Sequence, residues 1–192
     1  NVINLRTENS NIIADQFTFE AKQPAELSVI NPIDNTKLRF DIPAGTIIKI
    51  EKDGPFFKII NTGDINLDIL SKCSPVFYSS IGGSDLQIEQ SSGSSVYTFN
   101  NGALEFNSNN EKQLLRTDKI SKVEVDNNCN GFVCMTLGEE AKFDYEDELN
   151  SFYLENTGKD YNFCFDKKGK NGYKIGNKIT LNNIIKFFNY KR

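Results

Sequence analysis

Apolar and polar side chains alternate with a period of two along most of the chain, and β-branched and aromatic residues fill the apolar positions. Six early segments follow this rule: Ile13 to Glu20, Glu26 to Asn31, Lys37 to Ile42, Thr46 to Glu51, Phe56 to Asn61 and Ile65 to Leu70. Between them stand Asn31-Pro32, Pro43-Ala44-Gly45, Lys52-Asp53-Gly54-Pro55 and Asn61-Thr62-Gly63-Asp64. Each of these is turn chemistry, because Gly supplies positive φ, Pro presets φ, and Asn or Asp closes a local hydrogen bond. Later strands are expected at Lys122 to Asp126, Phe132 to Leu137, Ser151 to Glu155, Asn162 to Asp166 and Tyr173 to Ile175. Val96 to Phe99 and Ala103 to Phe106 flank Asn100-Asn101-Gly102, and the Asn-Gly step predicts a tight hairpin there.

These elements predict an all-β fold of antiparallel, sandwich-like sheets. Two segments depart from the alternation. Thr180 to Tyr190 places Leu181, Ile184, Ile185 and Phe188 on one helical face, with Thr180 as cap and Lys186, Lys191 and Arg192 toward the C-terminal end. A short C-terminal helix is expected there. Glu139 to Asn150 has good helix formers and little β-branching, which predicts a second short helix near 139–150. The stretch 79–95 is rich in Ser and Gly and reads as a linker or long loop. It would divide an N-terminal β lobe, 1–78, from a C-terminal β-rich lobe, 96–192, the alternative being one continuous β domain. No internal sequence repeat is visible.

Composition narrows the chemistry. The chain has 192 residues with no His, 4 Cys and a formal charge of -4. Without His there is no Ser-His-Asp or Cys-His nucleophilic site and no imidazole base, and His-dependent metal centres are excluded. There is no Gly-X-Ser-X-Gly elbow, Ser-X-X-Lys dyad or phosphate loop. The carboxylates of 139–160, Glu139, Asp144 and Glu148 among them, read as a solvated acidic face. From Lys167 to Arg192 the charge is basic, and this end is expected to complement the acidic run. Neither a recognised motif nor a basic domain points to nucleic acid. No apolar run approaches 18 residues, so no transmembrane segment is expected, and a start at Asn1 without Met reads as a trimmed product.

The cysteines are an even set, which suits two bridges in an oxidising compartment. The expected pairs are Cys129 with Cys134 and Cys73 with Cys164. Asn is abundant, yet no Asn-X-Ser/Thr acceptor occurs, which favours a bacterial secreted origin over a glycosylated one. Asp126, Asn128 and Asn130, followed by Gly131, begin like a Ca²⁺ loop, but Leu137 occupies the twelfth position where a bidentate Glu is required. Only a weak Ca²⁺ site is expected, and no other cofactor. Tyr145, Tyr153, Tyr161 and Tyr173 cluster late in the chain, and Tyr combines apolar area with a hydrogen-bonding tip, as ligand-binding faces use.

One segment carries a resemblance. Cys164-Phe165-Asp166-Lys167-Lys168-Gly169, followed by Gly176-Asn177-Lys178-Ile179, resembles the C-terminal segment of type IV pilin-like proteins. Those carry Cys, Asp-X-Asn-Gly, Pro-Asn and Gly-X-Asp-Ile; here Lys168 and Lys178 replace the Asn and the last Asp, and the Pro-Asn step is missing. The resemblance implies a structural subunit of a surface filament. The residues themselves favour a secreted or surface-associated, non-catalytic binding or adhesion module, extracellular, cell-surface or periplasmic, with a protein or glycan partner. A carboxylate-based hydrolase is the third reading, and the oligomeric state is not legible.

Overall fold

The computed structural model describes residues 2–4, 16–31, 36–70, 75–91, 93–108, 111–126, 133–137, 141–146, 151–155, 161–166, 172–175 and 177–180. Two short strands, β1 (Val2–Asn4) and β2 (Gln16–Glu20), lead into a series of paired strands. The pairs are β3 and β4 (Ala25–Asn31, Thr36–Ile42), β5 and β6 (Ile47–Asp53, Phe56–Asn61), β7 and β8 (Ile65–Leu70, Val76–Ser80), and β9 and β10 (Ser84–Gln90, Ser94–Phe99). They continue with β11 and β12 (Gly102–Ser108, Glu111–Thr117), β13 and β14 (Ser121–Asp126, Val133–Leu137), and β15 and β16 (Lys142–Glu146, Ser151–Glu155). The last strands are β17 (Tyr161–Asp166), β18 (Gly172–Ile175) and β19 (Asn177–Thr180).

Successive hairpins go to alternate sheets. One sheet has nine strands in the order β1-β3-β4-β7-β8-β11-β12-β15-β16, and the other ten in the order β19-β18-β17-β14-β13-β10-β9-β6-β5-β2. Every neighbouring pair is antiparallel except β1 with β3, which is parallel. Strands β3, β7, β11 and β15 begin at residues 25, 65, 102 and 142, so the topology recurs every 37 to 40 residues although the sequence does not. Because the hairpins return to the level where they began, the described sheet-to-sheet corners, at 43–46, 62–64, 81–83, 100–101 and 118–120, lie at one end of the sandwich, and the described hairpin turn at Gly54-Pro55 lies at the other.

Alternation builds the core. Within the nine-stranded sheet, register aligns Leu27, Phe40, Leu67, Tyr78, Leu104, Leu115 and Phe143 in one row, and all seven are buried. In the ten-stranded sheet Phe57, Ile88, Tyr97, Val123 and Met135 form a matching buried row. The inner faces share one buried cluster, which Phe17 and Phe19 of β2 close at the edge, half-buried and stacked with ring centroids 6.2 Å apart.

The corners hold one another. Ala21 N donates to Thr46 O and Gly45 N to Ala21 O, Thr62 N donates to Ile47 O, and Gly82 N donates to the Asp64 carboxylate. Asn61 is buried and its amide donates to Gly63 O and to Ser80 Oγ, while the Asn101 amide donates to Ile81 O and Gly83 O. At 21–46, 61–64 and 80–101, groups of one corner bond the backbone of an adjacent one, while the corner at 118–120 is held within itself, Thr117 Oγ1 accepting from Lys119 N.

Three sequence expectations change. Within 139–150 the described residues 141–146 carry strand β15 in place of the expected helix, because Phe143 alternates with Lys142 and Asp144 and its neighbours β12 and β16 offer two ladders. Residues 79–95 contain the end of β8, all of β9 and the start of β10 in place of a linker, since Leu86 and Ile88 alternate with Asp85, Gln87 and Glu89 inside the Ser-rich flanks. Asn100-Asn101-Gly102 is a corner between sheets and not a hairpin turn: Asn101 does take φ 50°, but β10 pairs with β9 and β13 while β11 pairs with β8 and β12. Positive φ fixes the bend and leaves the partner open. The expected C-terminal helix, beyond Thr180, lies outside the described residues. No helix among the described residues is long and apolar enough to cross a membrane.

Candidate functional site

The outward positions of the nine-stranded sheet are held by the same register that fills the core, one residue out of phase. Arg39, Asp68, Phe77, Glu105, Leu114 and Asp144 follow one another across β4, β7, β8, β11, β12 and β15. Phe77 is the outlier of this row, an aromatic 38% exposed between two carboxylates. Leu70 beside it is equally exposed, at 38%. Together with Asp68, Pro75, Val76, Glu105 and Phe106 they line a shallow cavity of about 110 Å³. Tyr78, next in sequence, points the other way into the core, where its hydroxyl bonds Ser84 and its ring meets Phe99 edge-on at 5.7 Å.

Both carboxylates at the cavity are oriented by cations. Arg39 Nη2 lies 2.5 Å from Asp68 Oδ2, and Lys112 Nζ lies 3.4 Å from Glu105 Oε1. The Asp68 hydrogen bond and charge hold the Arg39 guanidinium above its ordinary pKa. Further along the row, burial pushes the Asp144 carboxyl up, opposed by the nearby charges of Arg116 and Lys142. The surface can therefore receive an apolar ring on Phe77 and Leu70 while accepting hydrogen bonds at Asp68 and Glu105, whose geometry is set before a ligand arrives.

No family model, curated protein or solved structure matches the chain. The site stands on its own geometry.

The residues singled out from sequence are dispersed. Tyr145 of β15 and Tyr153 of β16 belong to the nine-stranded sheet, where Tyr145 stands opposite Gln113 and Phe152 and Tyr153 opposite Asp144. Tyr161 of β17 and Tyr173 of β18 belong to the other sheet. The side chains of all four lie outside those described. Asp126 ends β13 opposite Ser94, while Asn128 and Asn130 lie outside the described residues. Among the described residues no three His, Cys, Asp or Glu side chains gather to hold a metal ion. Glu139 and Glu148 are likewise outside the described residues, and Asp144 sits in the outward row above. Cys134 is disulfide-bonded, and β14 places it opposite Cys164 of β17. Cys73 and Cys129 lie outside the described residues.

Sequence reasoning missed Phe77 and Leu70. The available signal was the adjacent pair Phe77-Tyr78: neighbours in a strand face opposite sides of the sheet, so one aromatic had to leave the core.

Proposed function

We propose that the protein is a secreted or surface-associated, non-catalytic binding module whose ligand is a glycan, received on the outward face of the nine-stranded sheet at Phe77. The observation that carries this reading is an exposed aromatic ring in a shallow cavity between two cation-oriented carboxylates. A sugar ring offers a C–H face to an aromatic and hydroxyl donors to carboxylates, so both halves of the site have a use. Asp68 and Glu105 each sit in a charge pair and are separated by the strand that carries Phe77, which suits holding a ligand more than passing it a proton. A disulfide-bonded Cys134 supports an oxidising compartment, since such bonds persist outside the cytosol.

Glycan-array binding by the wild type and Phe77→Ala tests this. The expected result is a defined set of glycan hits, weakened about tenfold or more in the variant, as loss of a central aromatic contact predicts. Unchanged binding by the variant, or an array without hits, refutes the site or the ligand class. A filament subunit is the second reading, favoured by β2 standing at the edge of the ten-stranded sheet among the described residues, where Phe17 and Phe19 are half-buried. Light scattering across a concentration series of the same sample separates the two, because growth into long assemblies would move the assignment to the filament.

A further inference from the structure

The partner of Cys134 follows from the strand ladder. Cys134 is disulfide-bonded and half-buried, and it lies between Glu124 of β13 and Cys164 of β17 in register. Met135, the next residue, is buried in the core, so Cys134 takes the outward face of the ten-stranded sheet. Directly opposed residues of an antiparallel pair have Cα atoms about 4.5–5.5 Å apart, inside the range of about 4.4–6.8 Å that a disulfide spans. Cys73, in 71–74, lies outside the described residues, so the ladder names Cys164 alone as a residue opposed to Cys134 on β17. Cys129, in 127–132, likewise lies outside the described residues, and Val125 with Val133 is the last described ladder pair of β13 and β14.

We propose that Cys134 and Cys164 form a cross-strand disulfide that clamps the C-terminal end of the sandwich. This replaces the expected Cys129–Cys134 and Cys73–Cys164 pairs, and it is independent of the glycan reading. Strands β14 and β17 are neighbours in the sheet but not in sequence, because the chain leaves between them to form β15 and β16 in the opposite sheet. A bond across β14 and β17 therefore closes a loop that contains the whole β15–β16 hairpin, and fixes both sheets at this end. Its formation removes two protons and two electrons from the thiols; an exchanging disulfide takes up both and leaves as two thiols.

Peptide mapping of the unreduced, alkylated protein decides the pairing. Trypsin leaves Cys129 and Cys134 together in 123–142 and Cys164 in 160–167, so chymotrypsin is added to cut after Phe132. A 134–164 cross-linked pair that disappears on reduction is expected; a 129–134 or 73–134 pair, or an alkylated Cys134, overturns the proposal. Thermal melts supply a second reading. Cys134→Ser and Cys164→Ser should lower the midpoint equally, and the double variant no further. Additive losses at 134 and 164, or a Cys129→Ser and Cys134→Ser pair that loses no more than either alone, would contradict the clamp.

Discussion

Gly45 and Gly83 both occupy corners with left-handed backbone, φ 86° and 93°, yet they differ in what surrounds them. A Cβ at Gly45 would meet nothing within 4 Å, whereas one at Gly83 would lie 2.9 Å from Asn61 O and 3.1 Å from Thr62 O. Alanine at either position carries a conformational cost of about 1–2 kcal/mol for the left-handed region. A smaller unfolded-state entropy offsets that by about 0.4–1 kcal/mol. Gly45→Ala should therefore lose about 0–1.6 kcal/mol, by this balance alone.

Gly83→Ala bears a further cost because the obstacles are backbone carbonyls of the adjoining corner and cannot swing aside as a side chain would. Moving residues 61–62 disturbs the Asn61 amide, which holds Gly63 O and Ser80 Oγ, and moving Gly83 disturbs the bond from Asn101 to Gly83 O at 2.9 Å. At about 0.5–1.5 kcal/mol per hydrogen bond, one or two such losses put Gly83→Ala about 0.5–3 kcal/mol below Gly45→Ala. For a chain of this size, each kcal/mol lowers the melting midpoint by about 2–4 °C. Urea and thermal melts followed by far-UV circular dichroism measure both variants against wild type. Equal losses within about 0.5 kcal/mol would show that the corners do not press on one another, and the account of corner stacking would fail.

Two further effects are governed by pH. Burial pushes the Tyr78 phenol up to about 12, against about 10 in the unfolded chain, so its neutral form contributes stability that is whole below pH 10 and lost as pH rises toward 12. The loss is of the order of 2–3 kcal/mol and should be missing from Tyr78→Phe; parallel alkaline profiles for variant and wild type would refute it. Asp144 is also raised, so its neutral form is the one the fold favours and its contribution is lost as pH rises through the folded value. Asp144→Asn should raise the melting midpoint at pH 7, with the gain shrinking as the carboxyl protonates in acid, and a midpoint lowered at pH 7 would contradict this.

Strand identity was legible where alternation met clear turn residues. Phe56–Asn61, Ile65–Leu70 and Ser151–Glu155 are strands with the bounds read from the chain. Partnering was not legible, since Asn100-Asn101-Gly102 dictates a bend whether the next strand continues in the same sheet or crosses to the other. Composition misled in two places. Ser and Gly around β9 masked Leu86 and Ile88, and the charges of β15 masked Phe143, although all three are core residues. The candidate site was hidden for a related reason. Nothing in the sequence tells which of Phe77 and Tyr78 is buried until register places Tyr78 between Leu67 and Leu104.

The same topology explains why a recurrent fold needs no recurrent sequence. Each hairpin must supply apolar residues at alternate positions facing the other sheet, a condition that Ile, Leu, Phe, Val and Met meet interchangeably across Ile59, Leu86, Phe99, Val123 and Met135. Several adjacent corners bond one another's backbone, and different groups do so. A hydroxyl serves at Thr62, which accepts from Ile47 N at 3.0 Å; a carboxylate serves at Asp64, which accepts from Gly82 N; and an amide serves at Asn101, which donates to Ile81 and Gly83. These are equivalent solutions to one physical problem, so a residue-by-residue comparison of successive turns finds no repeat. At the hairpin end, Gly54-Pro55 joins β5 and β6, which already pair in one sheet, so the sequence of that turn can differ without altering the order of strands.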